Sequence, residues 1–452
     1  MPGRGEDAGG RRAGGGDLLA LGFGTTTAMW ATGYVVRFPA VEAPPWLLLA
    51  LLLAWLLAGG FAAGRLTRRG WRGGLAAGLL ASALNLLILG SLLGGERPGT
   101  IVPSAVWWLP GSLLVGAVLG AAGGRLGAAG GDDRARDLLE RQGTAAFAAV
   151  GAGATFLLVV AGGIVTSHEA GLAVVDWPNS YGYNMFLYPL ARMTGGIYYE
   201  HVHRLLGSLV GLTTVVLAAH LWRVDRRRGL RWLAIAAVAA VIGQGVLGGL
   251  RVTGRFTAST SPAETEPSLA LAVVHGVTGQ LFLALMVALA VLSTRRWREG
   301  PPPRIRPAVG LDRGLARTLV ALLVVQLVLG AVLRHVAGGL TVHITMAVFV
   351  ILLAVLVSVR VWTEHEDSAL LRRQANLLAT LVALQLGLGI GALVATGVER
   401  APGEPPPIDV VLTTAHQACG AALLATAVGL ALWLQRLAAP GAGEPRAAAA
   451  RA

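Results

Sequence analysis

The sequence predicts an all-α polytopic membrane protein of about twelve transmembrane helices, the C-terminal eight forming two tandem four-helix bundles. Three observations predict it. The 452-residue chain is 54% hydrophobic and only 13% charged, where a soluble domain carries about 25% charged residues. The apolar residues gather in runs of about 20, the length of a helix that crosses a bilayer. The runs also lack the alternation of a membrane-barrel strand, and backbone groups in lipid must be bonded internally, so helices are the spanning element.

The spans are expected near Leu18–Val36, Trp46–Gly64, Gly74–Leu93, Val106–Gly124, Ala145–Val165 and Arg204–Trp222. Six more follow near Trp232–Leu250, Leu269–Leu292, Leu315–Leu333, Val342–Val361, Ala375–Val394 and Val411–Leu434. Loop charge sets their direction. Arg4, Arg11 and Arg12 precede the first span. Arg65, Arg68, Arg69 and Arg72 follow the second. Arg125, Arg134, Arg136 and Arg141 follow the fourth, and Arg223, Arg226, Arg227 and Arg228 the sixth. Arg295, Arg296, Arg298, Arg304, Arg306 and Arg313 follow the eighth, with Arg372 and Arg373 after the tenth. Every even loop is basic, which places both termini in the cytoplasm. The net charge of +13 is therefore topological, and nucleic acid is excluded as a partner. The first apolar run reads as a retained signal anchor. A single cysteine, Cys419, excludes an internal disulfide and any cysteine-built metal site.

The polar stretch Gly130–Gln142 divides the chain. Four spans without histidine precede it, and all nine histidines follow it. The expected parts are an N-terminal four-helix membrane module (1–130), a cytoplasmic linker (131–144), a first bundle (145–293), a second linker (294–316), a second bundle (317–436) and a disordered cytoplasmic tail (437–452).

An internal repeat organises the C-terminal part. His203, His275, His343 and His416 recur at intervals of 72, 68 and 73 residues. Each lies near the outer end of an even-numbered span. Each preceding span carries a Gly-rich apolar stretch: Ala161–Thr166, Leu247–Thr253, Leu329–Arg334 and Leu388–Leu393. Gln244, Gln326 and Gln385 stand shortly before three of them. The unit is a helical hairpin repeated four times, and two hairpins make one bundle. Small residues let membrane helices approach closely.

Ionisable residues inside a membrane are costly and functional by default. Two histidines on different helices of one bundle can clamp a haem from both faces. His203 pairs with His275, and His343 with His416. His168, His201, His220, His335 and His365 read as structural or solvated. Haem propionates need cations, and Arg192, Arg204, Arg251, Arg255 and Arg334 fall near the outer face as candidates. Glu200 and His203 are three apart on one helix face, so a carboxylate stands beside one ligand histidine; the plainer reading is a capping glutamate at a helix start. The long outer loop Ser167–Tyr199 is rich in aromatics. These would either cover an apolar ligand or form an interfacial belt.

At these residues the sequence resembles a known family. Gly163–Thr166, Ala170–Leu172, Asp176–Pro178 and Glu200-x-x-His203-Arg204 look like the haem A synthase family, bacterial and mitochondrial, over about Ala145 to Arg436. The resemblance implies oxidation of the C8 methyl group of haem O to a formyl group, giving haem A for terminal oxidases. It implies a substrate haem between His203 and His275 with Glu200 as catalytic carboxylate, and an iron-bearing haem b on His343 and His416. Two features depart from the family. The stretch Leu172–Trp177 lacks the cysteine pair of many bacterial members, and the N-terminal four spans are additional. The expected partners are haem O, the lipid bilayer, the haem O-producing farnesyltransferase and a second copy of the chain, at the inner (plasma) membrane. The competing readings are a di-haem electron-transfer protein of cytochrome b type and a transporter with a histidine proton relay.

Overall fold

Long apolar runs become long helices because a helix bonds its own backbone away from water. The structure, a computed structural model, describes residues 15–41, 43–253, 268–306, 308–397 and 405–440. Its helices are α1 (Gly16–Val36), α2 (Pro45–Leu66), α3 (Gly70–Leu93), α4 (Ala105–Ala128), α5 (Asp133–Ser167), α6 (Gly195–Val224) and α7 (Arg228–Val252). They continue as α8 (Leu269–Ser293), α9 (Arg295–Glu299), α10 (Val309–Val336), α11 (Leu340–Glu364), α12 (Ala369–Gly397) and α13 (Pro407–Leu437). The all-α polytopic architecture is as expected. Among the described residues, 11 helices are long and apolar enough to cross a membrane. The first of the twelve expected spans is not one of them. Helix α1 is diluted by Thr25, Thr26 and Thr27, whose hydroxyls donate back to carbonyls one turn earlier. It nevertheless packs against α2, α3 and α5.

The two tandem bundles are visible in the contacts. Helices α5, α6, α7 and α8 touch in a closed ring, and α10, α11, α12 and α13 repeat it. Helix α13 lies in the seam against α5 and α8, and α10 also touches α8. The N-terminal module is built on glycine. A Cβ at Gly60 or Gly64 of α2, or at Gly74 or Gly78 of α3, would collide with the α4 backbone at Gly116, Gly120 or Gly124. Only hydrogens fit there, so three backbones meet directly.

Three expectations about the connections change. The first linker is mostly helix: Asp132 caps α5 by accepting from the Arg134 amide at 2.9 Å, so α5 begins nine residues before the end of the polar stretch 130–142. The second linker contains α9, the strand β1 (Arg304–Arg306) and the start of α10. The tail begins with a strand, β2 (Ala438–Pro440), paired in parallel with β1; residues 441–452 lie outside the described residues. The N-terminal module and first bundle are also less separate than their histidine content suggests. One apolar cluster runs through Phe23, Trp30, Phe147, Leu206 and Leu217, with the Phe23 and Phe147 rings 5.1 Å apart.

Candidate functional site

Each repeat hairpin seats its histidine in the same way. The ring rests on a glycine of the preceding helix, where an added Cβ would stand 3.0 Å from Cε1 of His203 (Gly162), 3.4 Å from His275 (Gly248), 3.1 Å from His343 (Gly330) and 3.0 Å from His416 (Gly389). At Gly162, Gly330 and Gly389 an added methyl group would crowd the ring, and at Gly248 it would just touch it. His203, His275 and His416 also lie beside the backbone of the residue four before that glycine: Leu158, Gln244 and Gln385. Four is the spacing that keeps two residues on one helix face.

The four seats bring the histidines together in the expected pairs. The His203 and His275 rings are 6.4 Å apart at 77°. The His343 and His416 rings are 6.5 Å apart at 72°. An iron held between two imidazoles, at about 2 Å from each plus the ring radii, separates the centroids by about 6 Å. The Nδ1 atoms of His203, His275 and His416 are buried without a hydrogen-bond partner, as are Oε1 of Gln326 and Gln385. The Gln326 amide donates to the His343 carbonyl at 3.1 Å and stands 3.2 Å from its Nδ1. Gln385 Nε2 stands 3.4 Å from His416 Nε2. Gln244 instead bonds Thr278. Among the described residues, no three His, Cys, Asp or Glu side chains gather as a group. Pairs suit an iron that brings four ring nitrogens of its own. The residues present therefore fit a haem in each bundle.

The bundles differ at the ends that carry the histidine pairs. Helices α10 and α11 are joined by residues 337–339 alone, whereas α5 and α6 are joined by residues 168–194. Helix α6 starts at Gly195, so Glu200 lies in its second turn and is not a cap. Glu200 is 4% exposed. Its Oε1 accepts from Arg204 Nη2 at 2.6 Å and its Oε2 from the Val174 amide at 2.8 Å. Arg204 further donates to the carbonyls of Val174, Asp176 and Asn179. The pair clasps the loop onto α6. Asp176 turns the loop by accepting from the Tyr181 and Gly182 amides. The Trp177 ring fills the space that a side chain at Gly249 would need, next to the glycine that seats His275. Four loop-side aromatics, Tyr183, Tyr188, Tyr198 and Tyr199, are buried in protein, so they form no interfacial belt.

The other expected residues separate by their surroundings. Arg192 donates to the Glu96 carbonyl at 3.2 Å and lies over the Tyr183 ring, engaged with the N-terminal module. Arg204 is engaged in the clasp. Arg334 donates to the Thr166 carbonyl at 3.2 Å, reaching from the second bundle to the first. Arg251 is the least satisfied: its Nε is buried without a partner, its guanidinium abuts Gly171, and it feels Glu200 electrostatically. Arg255 lies outside the described residues. The five remaining histidines keep structural positions. His201 bonds Ser180 at 3.2 Å, His220 bonds Thr144 at 3.0 Å, and His365 bonds Asp312 at 3.0 Å. His168 stacks on Tyr199 at 4.0 Å, and His335 sits in the field of Arg251 and Arg334.

Residues 145–344 match the model of the COX15-CtaA family, described as cytochrome oxidase assembly protein. Over that stretch the chain is similar to the COX15-CtaA family. The resemblance read from the motifs agrees with that match. The COX15-CtaA stretch takes in His203, His275 and His343; His416 and helices α1–α4 lie outside it. No curated protein and no solved structure matches the chain. Sequence reasoning missed the four glycine seats as parts of the site, although the repeat displayed them. It read those glycines as helix contacts, and only the fold shows which one faces a ring.

Proposed function

We propose that this protein is a haem A synthase of the inner (plasma) membrane, with both termini cytoplasmic, which oxidises the C8 methyl group of haem O to a formyl group. The observation that carries the reading is the contrast between two equivalent histidine pairs. Both fit a haem, and among the described residues only the first has a carboxylate three residues from a ligand histidine, with a long loop clasped to it. His203 and His275 hold the substrate haem; His343 and His416 hold haem b. The haem iron supplies the redox chemistry when bound. Arg251, a buried cation with an unmet donor, is the propionate partner of choice in the first bundle, and Arg334 serves at the seam. Glu200 fixes the loop over the first pair and keeps a negative charge near the reacting edge, where developing positive charge is stabilised. Gly248 and Gly249 together support His275 and Trp177, so the loop and ligand share one support. The haem O-producing farnesyltransferase supplies the substrate.

The test is expression with a haem O source, followed by pigment extraction and chromatography. Haem A appears if the proposal holds. Bound haem O without haem A supports instead a di-haem electron-transfer protein, and an absence of haem removes both.

A further inference from the structure

The N-terminal module carries no histidine and stands outside the family match, so its helices need a reason of their own. They meet the loop between α5 and α6, and the first turn of α6, at several independent points. The loop's two short 3-10 turns, Met185–Leu187 and Leu190–Arg192, are its only helical structure among the described residues. A Cβ at Gly90 of α3 would collide with the Phe186 carbonyl, and one at Gly94 with the Leu187 carbonyl. Immediately after α3, the Glu96 carbonyl accepts from the Tyr183 hydroxyl and from Arg192. On α1, the Tyr34 carbonyl accepts from the Tyr198 hydroxyl at 2.6 Å, and the two rings stack at 5.9 Å. Phe38 packs between His168, Tyr198 and Tyr199.

We propose that the N-terminal four-helix module is a docking platform that holds the outer loop, residues 168–194, against the mouth of the first bundle. The physical need is entropic. An irregular segment loses about 1–2 kcal/mol per residue when its backbone is fixed, and this loop has almost no ladder of its own to offset that. The clasp of Glu200 and Arg204 fixes only its first half, at Val174, Asp176 and Asn179. Its second half, from Tyr183 to Arg192, is met by Gly90, Gly94 and Glu96 of the module. The two anchorages place Trp177 on Gly249, beside the seat of His275. The module is thus a positioning element for the first bundle, and among the described residues its direct loop contacts have no counterpart at the short 337–339 connection of the second.

The test uses the full-length protein in detergent. In Gly94→Val the collision with Leu187 displaces the loop. Trypsin cleavage after Arg192 is expected to rise about tenfold, because cleavage follows the population of the opened segment. Amide exchange rises across residues 170–194 and stays unchanged in α6 and in the second bundle, and the thermal midpoint is retained. Gly111→Val, in α4 where nothing stands within 4 Å of an added Cβ, should match the wild type. If Gly94→Val does not fold, Tyr183→Phe carries the same test by removing the loop-to-module hydrogen bond to the Glu96 carbonyl. Wild-type cleavage and exchange in a folded variant would overturn the proposal. So would faster exchange spread evenly over all helices, which signals general destabilisation. Neither readout uses haem, so the outcome is separate from that of the pigment assay.

Discussion

The glycine seats allow a graded test, because the four differ in clearance by a few tenths of an ångström. Alanine at Gly389 puts a methyl carbon 3.0 Å from Cε1 of His416, where carbon contacts favour about 3.5–4.0 Å. The ring must retreat by at least half an ångström or α12 and α13 must part. Overpacking of this kind costs about 1–3 kcal/mol, which converts to a loss of haem affinity of about five- to a hundredfold. Alanine at Gly387, two residues away with nothing within 4 Å, gains up to about 1 kcal/mol of helix propensity. The two variants should therefore move in opposite directions. Gly162→Ala and Gly330→Ala, at 3.0 and 3.1 Å, should follow Gly389→Ala, whereas Gly248→Ala, at 3.4 Å, should be nearly neutral. Thermal unfolding of the haem-free protein and haem titration by absorbance measure both effects. Equal behaviour of Gly389→Ala and Gly387→Ala would refute the idea that the ring rests on the glycine.

Further outcomes follow from the charged contacts. Glu200→Ala leaves Arg204 buried without its carboxylate, a loss of about 3–5 kcal/mol for a broken buried pair; haem at His343 and His416 should persist in the spectrum while haem A formation is lost. Asp312→Asn weakens the contacts with Arg360 and His365 at the end of the second bundle remote from its histidine pair and should cost about 3 kcal/mol, read as earlier thermal loss of haem from that bundle than from the first. Asp225, between α6 and α7, is pushed up by burial, but hydrogen bonds from Arg227 outweigh this and hold its carboxyl below the ordinary range. Its contribution is therefore present above the unfolded carboxylate value and lost as pH falls through the lowered folded value. Asp225→Asn should flatten that acid limb in thermal unfolding between neutral and acidic pH; an unchanged limb would remove Asp225 from it.

Much of the site was legible in one dimension. His203, His275, His343 and His416 stand out because ionisable groups are rare in apolar spans, and a repeat with nearly equal intervals predicts equal depth in antiparallel hairpins. Pairing them needed only the rule that consecutive hairpins make a bundle. The arginines were harder to rank. Arg192, Arg204, Arg251 and Arg334 have similar sequence surroundings, and each is defined by what stands opposite it: a carbonyl of the N-terminal module for Arg192, a carboxylate and three loop carbonyls for Arg204, an unmet donor for Arg251.

The sequence by itself determined the membrane class, the helical hairpin repeat and the four histidines, because hydropathy, helix period and charge asymmetry act within short stretches of chain. Tertiary structure decided that α1 joins the array through packing although threonines dilute it, that the polar stretch after α4 continues as helix, and that glycine seats hold the rings. It also decided that the N-terminal helices meet the loop above the first bundle. Those features depend on which residues from distant segments come within a few ångströms, and no local pattern along the chain encodes that distance.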